Sequence, residues 1–190
     1  MASIPPLPKI ENLQEGANDL FQVFNEDSDM HCVVIGTAYL DAALGTLLSK
    51  HLITSSVTEK MLEKPGGILT SLSARADLAY ALGLIPKGFY NNIEPIVRIR
   101  NAFAHRYFHL RFEDEEIKVL VEKIKHPVPT AVLHVDGDGN NLEGLSPLEN
   151  VTDPRWRFNL ALIYMVSMIL GEGTRAEQKQ PMTKTWGWTG

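Results

Sequence analysis

The sequence is poor in the features that mark most enzymes, membrane proteins and nucleic-acid binders. It has one cysteine in 190 residues, Cys32, so no internal disulfide forms. That residue sits in an apolar run, where a thiol behaves as a small buried hydrophobe. Positive charge is in deficit: 18 Lys and Arg stand against 23 Asp and Glu, a net charge of -5. A protein that coats nucleic acid needs clustered cations, so this balance disfavours direct DNA binding. The opening "MASIPPLPKI" has no apolar stretch long enough for a signal peptide, and a cytoplasmic location is the expectation. The most apolar stretch, Leu160 to Leu170, falls well short of the roughly 20 residues that cross a bilayer, so no membrane span is expected. Phosphate-cradling glycine loops, zinc spacings and nucleophile elbows are missing. The six histidines, at 31, 51, 105, 109, 126 and 134, form no metalloprotease pattern with carboxylates. No cofactor and no metal are expected.

What the chain does have is helical periodicity. Hydrophobic residues make up 44% and charged residues 22%, a balance that folds. The pattern predicts an all-α, single-domain bundle of about six or seven helices, with one long irregular excursion before the last. A flexible leader covers 1–10, the bundle 11–173 and a mobile tail 174–190. Leu13, Leu20, Phe21 and Phe24 share the face of a first helix weakened by Gly16. After a capping cluster at Asn25 to Asp29, a long core helix places Val33, Thr37, Leu40, Leu44, Leu47 and Leu48 on one side. A short helix over "SSVTEKMLEK" stops at Pro65-Gly66-Gly67. The next gathers Leu72, Ala76, Ala79 and Leu82 on one face, with Arg75 at its edge, and closes at Gly83. Gly88 to Tyr107 forms a helix that Pro95 either kinks or breaks. "EDEEIKVLVEKIK" runs from acids to lysines as a helix dipole favours, burying Ile117, Leu120, Val121 and Ile124. Periodicity vanishes over 126–153, where "TAVLHV" has the composition of a brief strand. Asp153 and Pro154 then open a last helix, apolar nearly all round through Trp156, Leu160, Ile163, Tyr164 and Leu170, as a bundle's central helix is.

Two motifs fail on inspection. "DGDGNNLEG" puts Asp136, Asp138 and Asn140 at the first, third and fifth positions of a calcium loop. However, its sixth is Asn141 where glycine must turn, and its twelfth is Pro147 where a glutamate must bind. "ADLAYALGLIPKGFYNNI" mimics a helix-turn-helix, yet its would-be recognition helix opens Gly88, Phe89, Tyr90, Asn91 with Lys87 alone to meet phosphate.

The stretch that invites chemistry is "RIRNAFAHRYFH", residues 98 to 109. On a helix Asn101 and His105 lie about 40° apart and share a face, whereas Arg100 and His105 lie about 140° apart. A polar stripe of Glu94, Arg98, Asn101 and His105 runs beside an apolar one of Ile96, Ile99 and Phe103. This geometry favours a half-buried helix, with Asn101 and His105 bonded to neighbouring backbone or capping the helix end. Bringing Arg100 and His105 together around a phosphate would need a second helix or a two-fold mate. Asp41, on the flank of the long core helix, needs a partner, and Arg75 or Arg100 is placed to supply it. Removing one member of such a pair is expected to cost about 3 to 5 kcal/mol.

The block from Gly67 to Ile117 resembles the mannitol operon repressor family, with "LDAALGTLL" at Leu40 to Leu48 as its preceding helix. The resemblance is carried by Gly67 and Leu69, then Ser71 and Arg75 in a helix ending Tyr80, Leu82, Gly83, Leu84, Ile85. It continues through Ile99, Arg100, Asn101 and His105 to Phe112, Asp114 and Ile117. It implies a helical regulator of mannitol uptake genes with no recognised DNA-binding module, acting through contacts with a protein partner and without a catalytic role. Asp41, Arg75, Arg98, Arg100, Asn101 and His105 would then be structural or partner-binding residues. A shorter stretch is similar to the HEPN helical domains, whose ribonuclease members carry Arg, a polar residue, three others, then His. Here these are Arg100, Asn101 and His105. That alternative implies a metal-independent ribonuclease acting on RNA across a homodimer.

Overall fold

The computed structural model describes residues 8–16, 23–24, 28–106, 110–125 and 152–176. Within them are seven helices: α1 (Ile10–Glu15), α2 (Asp29–His51), α3 (Ser56–Leu62), α4 (Leu72–Ala81), α5 (Lys87–Arg106), α6 (Glu115–Lys123) and α7 (Pro154–Arg175). No strand occurs among the described residues. The excursion from 126 to 151 with its "TAVLHV" segment, the side chains of Leu20 and Phe21, and residues 177–190 of the tail lie outside them.

Helix starts follow the local chemistry. An extended residue with a short polar side chain accepts an otherwise unpaired amide of the first turn. Ser28 does so from His31 at 3.3 Å, Ser55 from Thr58 and Ser71 from Ala74 each at 3.2 Å, and Asp153 from Trp156 at 2.6 Å. Pro154 follows Asp153 at the first helical position, where a missing amide proton does no harm. At the other end of α4, Gly83 adopts φ 72°, a left-handed conformation that glycine enters without a steric penalty. The Gly83 amide then donates to Tyr80 and the Leu84 amide to Ala79, each at 2.9 Å, a paired closure that satisfies two orphan carbonyls. Pro95 lies inside α5 and does not interrupt it. The carbonyl it leaves without an amide partner belongs to Asn91, which faces water.

α2 occupies the centre of the bundle and packs against α1, α3, α4, α5 and α7. The sequence pattern favours α7 for this place. α7 instead packs on one side, burying Phe158, Ala161, Leu162, Met165, Val166 and Ile169, while Trp156 is 41% exposed and Leu160, Ile163, Tyr164 and Leu170 are only half-buried. It also runs through Gly171 and Gly173 to Arg175 instead of ending at them. Leu82, expected in the apolar face of α4, is 47% exposed because it follows the last helical turn. α2 is long and apolar enough, by length and composition, to cross a membrane, an extent that interleaved Gly, Ala and Thr conceal in the sequence. In the bundle its apolar groups meet other helices: Cys32, Val33, Leu40, Ala43, Leu44, Leu47 and Leu48 are fully enclosed.

The far side of the core is aromatic. Phe103 of α5, Phe112 ahead of α6 and Phe158 of α7 form a chain of tilted rings with centroids 5.5 and 5.4 Å apart, a geometry worth about 0.5 to 1.5 kcal/mol per pair beyond burial. α1 is tied to α2 by the Tyr39 hydroxyl, which donates to the Leu13 carbonyl, and Thr46 donates to Pro8 at 2.8 Å. Asn92, buried on α5, uses both ends of its amide: it donates to the Lys125 carbonyl and accepts from the Lys125 amide, each at 2.8 Å. It thereby closes the chain leaving α6 onto α5.

Gly36 lets α7 come close to α2. A Cβ there would stand 2.6 Å from Leu162 Cδ1 and 2.9 Å from the Phe24 ring. Gly36→Ala is therefore expected to destabilise by about 1 to 3 kcal/mol despite alanine's better helix propensity. Gly88→Ala, with open space around it, should be neutral or stabilising by up to about 1 kcal/mol. Urea denaturation of both variants measures the contrast, and equal stability would place α7 further from α2.

Candidate functional site

Arg75 lies inside the bundle, 4% exposed, where the sequence suggests the edge of a face. A guanidinium buried this deeply survives only if its donors are met, and here they are. Nε donates to the Leu69 carbonyl at 2.8 Å, Nη2 to the Leu62 carbonyl at 3.0 Å, and Nη1 to the Asp41 carbonyl at 2.9 Å. Nη1 also bridges Asp41 Oδ2 at 2.9 Å. One side chain on α4 thus binds the middle of α2, the last residue of α3 and the loop between α3 and α4. Asp41's partner is therefore Arg75, while Arg100 acts on it only through its charge.

Asp41 itself is incompletely served. Its Oδ1 is enclosed without a hydrogen bond. Burial pushes its carboxyl pKa above the usual 3.8, against the opposing pull of the Arg75 charge, the Arg75 hydrogen bond and the more distant Arg100. Desolvation outweighs attraction at this carboxylate.

On α5, Ile96, Ile99 and Phe103 are fully buried and the polar groups face outward, as the stripe pattern predicts. Arg98 pairs with Glu94 across one turn at 3.6 Å, both largely exposed. Such a pair contributes about 0.3 to 0.5 kcal/mol. Arg100 donates to Asn101 Oδ1 at 3.1 Å, so among the described residues Asn101 is held by its neighbour's side chain. His105 is exposed, and no hydrogen bond to its side chain occurs among the described residues. Arg100 and Asn101 are brought together; His105 is not brought to Arg100. Tyr107 to His109, the end of the run, lie outside the described residues. No group of three His, Cys, Asp or Glu side chains able to hold a metal occurs among the described residues.

A second polar centre escaped the sequence. Asp29, the first residue of α2, accepts from Arg155 Nη1 at 3.1 Å through Oδ1 and from the Phe112 amide at 3.1 Å through Oδ2. Arg155 also donates to the Phe24 carbonyl at 3.1 Å and to Cys32 Sγ at 3.0 Å. Asn159, wholly buried, donates to the same Phe24 carbonyl at 3.3 Å. Cys32 is enclosed, as its apolar setting implies. The available signal was an Arg five residues before a Leu-rich run on a helix whose first turn has no acid to neutralise it.

These contacts give the two members of the buried pair unequal weight. Arg75→Ala strands three carbonyls, opens a cavity and leaves Asp41 without its cation, so it should cost about 3 to 5 kcal/mol. Asp41→Asn leaves all three carbonyl bonds of Arg75 in place and removes a desolvated charge, so it should cost under about 1 kcal/mol or stabilise. The pH dependence has a definite sign. Because the folded pKa is raised, the contribution of Asp41 is full below the unfolded value near 3.8 and is lost as pH rises through the folded value. Wild type should therefore lose stability relative to Asp41→Asn across that window. Denaturation curves at a series of pH values check this, and a gap moving the other way would mean that attraction wins.

Comparison with known proteins places this architecture. A family model described as mannitol repressor matches residues 36–144, from the middle of α2 past α6. No curated protein matches the sequence. Among solved structures, a chain of the X-ray structure of the MtlR-HPr complex from Escherichia coli is 20% identical. It superposes with a TM-score of 0.58 over 82% of this chain and 99% of that one. YggD of Shigella flexneri 2a str. 2457T, described as a possible transcriptional regulator, is 14% identical, with a TM-score of 0.53 over 88% of this chain and 98% of its own. At these identities the structures speak to the fold alone. The family match spans more than half of the sequence and takes in Asp41, Arg75 and the whole of α5, and on that ground the chain belongs to the mannitol repressor family.

Proposed function

We propose that the protein is a cytoplasmic transcriptional regulator that works by binding a partner protein, of which HPr is the first candidate, and that it has no catalytic role. The observation that carries this reading is a fold shared, over 82% of the chain, with a structure solved as a complex with HPr. The layout of α5 supports it. The polar residues of the Arg-Asn-x-x-x-His run lie along an outer helix face, with Arg100 engaged by Asn101 and His105 standing apart, so they offer a surface and not a pocket. In this reading Asp41 and Arg75 serve the fold, and Arg98, Arg100, Asn101 and His105 belong to the exposed face. Near the start of α5, Phe89 and Ile93 are turned into the core, each 4% exposed, and Lys87 is the single cation in the first turn, which supports a reading without direct DNA contact by this helix.

Calorimetric titration of the full chain with purified HPr is the direct test, and saturable binding is the expected result. In parallel, the wild type should leave RNA intact. RNA cleavage that Arg100→Ala or His105→Ala abolishes, at an unchanged melting temperature, would establish the ribonuclease reading in its place.

A further inference from the structure

One surface has a composition that the packing of the bundle does not require. Tyr80 of α4 and Tyr90 of α5 stack with ring centroids 4.6 Å apart and planes 16° from parallel. The Tyr90 hydroxyl donates to Asp77 Oδ1 at 2.9 Å. Tyr80 remains 40% exposed and Leu82, just beyond it, 47%. Asp77 is exposed, and one turn along α5 from Tyr90 stands Glu94, its side chain 79% exposed.

Burial accounts for Tyr90, which packs against the core, but not for Tyr80 and Leu82, which stay in contact with water at the corner where α4 turns into α5. The exposed part is electrostatic in character. The faces of aromatic rings are negative, and a stacked pair leaves an outer ring face open to a cation. Two carboxylates border the pair. The Tyr90 phenol is held protonated more firmly than usual by its bond to Asp77, which fixes the ring's orientation. Among the described residues no Lys or Arg bridges Asp77. Of the cations closest along α5, Arg98 engages Glu94 and Lys87 lies exposed at the helix start. The corner is thus an acidic, aromatic platform on which Asp77 has no cation partner among the described residues, while Glu94 at its border has Arg98.

We propose that the platform formed by Tyr80, Tyr90, Asp77 and Glu94 is the docking surface for a cationic side chain, an arginine in particular, presented by the protein partner. This rests on the partner reading given above. A guanidinium suits the platform better than an ammonium because its plane stacks on a ring while its edge forks to a carboxylate. A cation over a tyrosine face is attracted by the ring, and more strongly once an interface has desolvated it. Tyrosine is also a residue that anchors interfaces at small conformational cost.

The test is titration of the full chain with HPr at two salt concentrations, using Tyr80→Ala, Asp77→Asn and Tyr80→Phe, with melting curves to confirm the fold and Trp156→Ala on α7 as a control surface change. Tyr80→Ala is expected to weaken binding about tenfold or more. Asp77→Asn should weaken it and flatten its salt dependence. Tyr80→Phe, which keeps the ring, and Trp156→Ala should bind as wild type does. Wild-type affinity in both Tyr80→Ala and Asp77→Asn would overturn the surface while leaving the partner reading intact. Failure of the wild type itself to bind HPr would instead overturn the partner reading and, with it, this platform as HPr's dock. A wild-type dimer that Tyr80→Ala dissociates would make the occupant a second copy of the chain and overturn the proposal.

Discussion

The bundle is organised around the burial of one guanidinium. Transferring a charged side chain out of water is prohibitive unless its donors are met, and Arg75 meets them with acceptors from three separate segments: Asp41 in α2, Leu62 at the end of α3 and Leu69 in the loop before α4. The bonds are directional and the fork is planar, so they fix orientation as well as distance. Apolar packing alone would let α4 slide along α2 at modest expense, because Ala76 and Ala79, its buried neighbours, are small and alike. The arginine removes that freedom. The price is paid by Asp41, whose carboxylate is drawn into a poorly solvated site with one oxygen unmatched.

The opposite end of the molecule repeats the device with different parts. Asp29 and Arg155 join the start of α2 to the start of α7 and draw in the Phe112 amide, so the aromatic chain from Phe103 to Phe158 is framed by polar bonds. Asn92 fastens the exit of α6 to α5. With α5 seated on Ile96, Ile99 and Phe103 and held at its flanks, its outer face becomes a fixed surface. Groups on such a face are preorganised, and a partner that meets them avoids the ordering cost that a mobile segment would impose.

How far this was legible in the sequence depended on the range of the interaction. Helix identities and starts depend on neighbours three or four residues apart, so the capping cluster that holds Ser28, the serine start of α3 and Asp153 could be read directly, as could the Gly83 closure and the apolar stripe of α5. A partner for Asp41 was readable only as Arg75 or Arg100, because all three sit on or beside apolar stripes and a lone buried charge is untenable. The backbone acceptors that complete Arg75 were not, because carbonyls carry no sequence signature. Asp29 and Arg155 lie 126 residues apart, so the one local sign, an Arg in an acid-free first turn, did not name its partner. The central place of α2 was obscured because Gly36, Thr37, Gly45 and Thr46 dilute its hydrophobicity, although small residues are what let α7 approach. In the candidate site, periodicity alone separated Arg100 from His105, while the exposed stack of Tyr80 on Tyr90 required the α4 to α5 turn to be known.

The distribution of charge also supports the regulatory reading proposed for the chain. A catalytic site needs convergent groups in an enclosed, low-dielectric setting, where charges act strongly. Among the described residues the buried Arg75 and the half-buried Arg155 are engaged by carbonyls and by Asp41 and Asp29, so their donors are committed to holding helices. The charges left over, at Arg98, Arg100, Asp77 and Glu94, lie in water, where each pairwise attraction is weak and screened. Groups of that kind gain strength only when another surface covers them and expels the solvent, which is what a protein partner does and a small substrate on an open helix face does not.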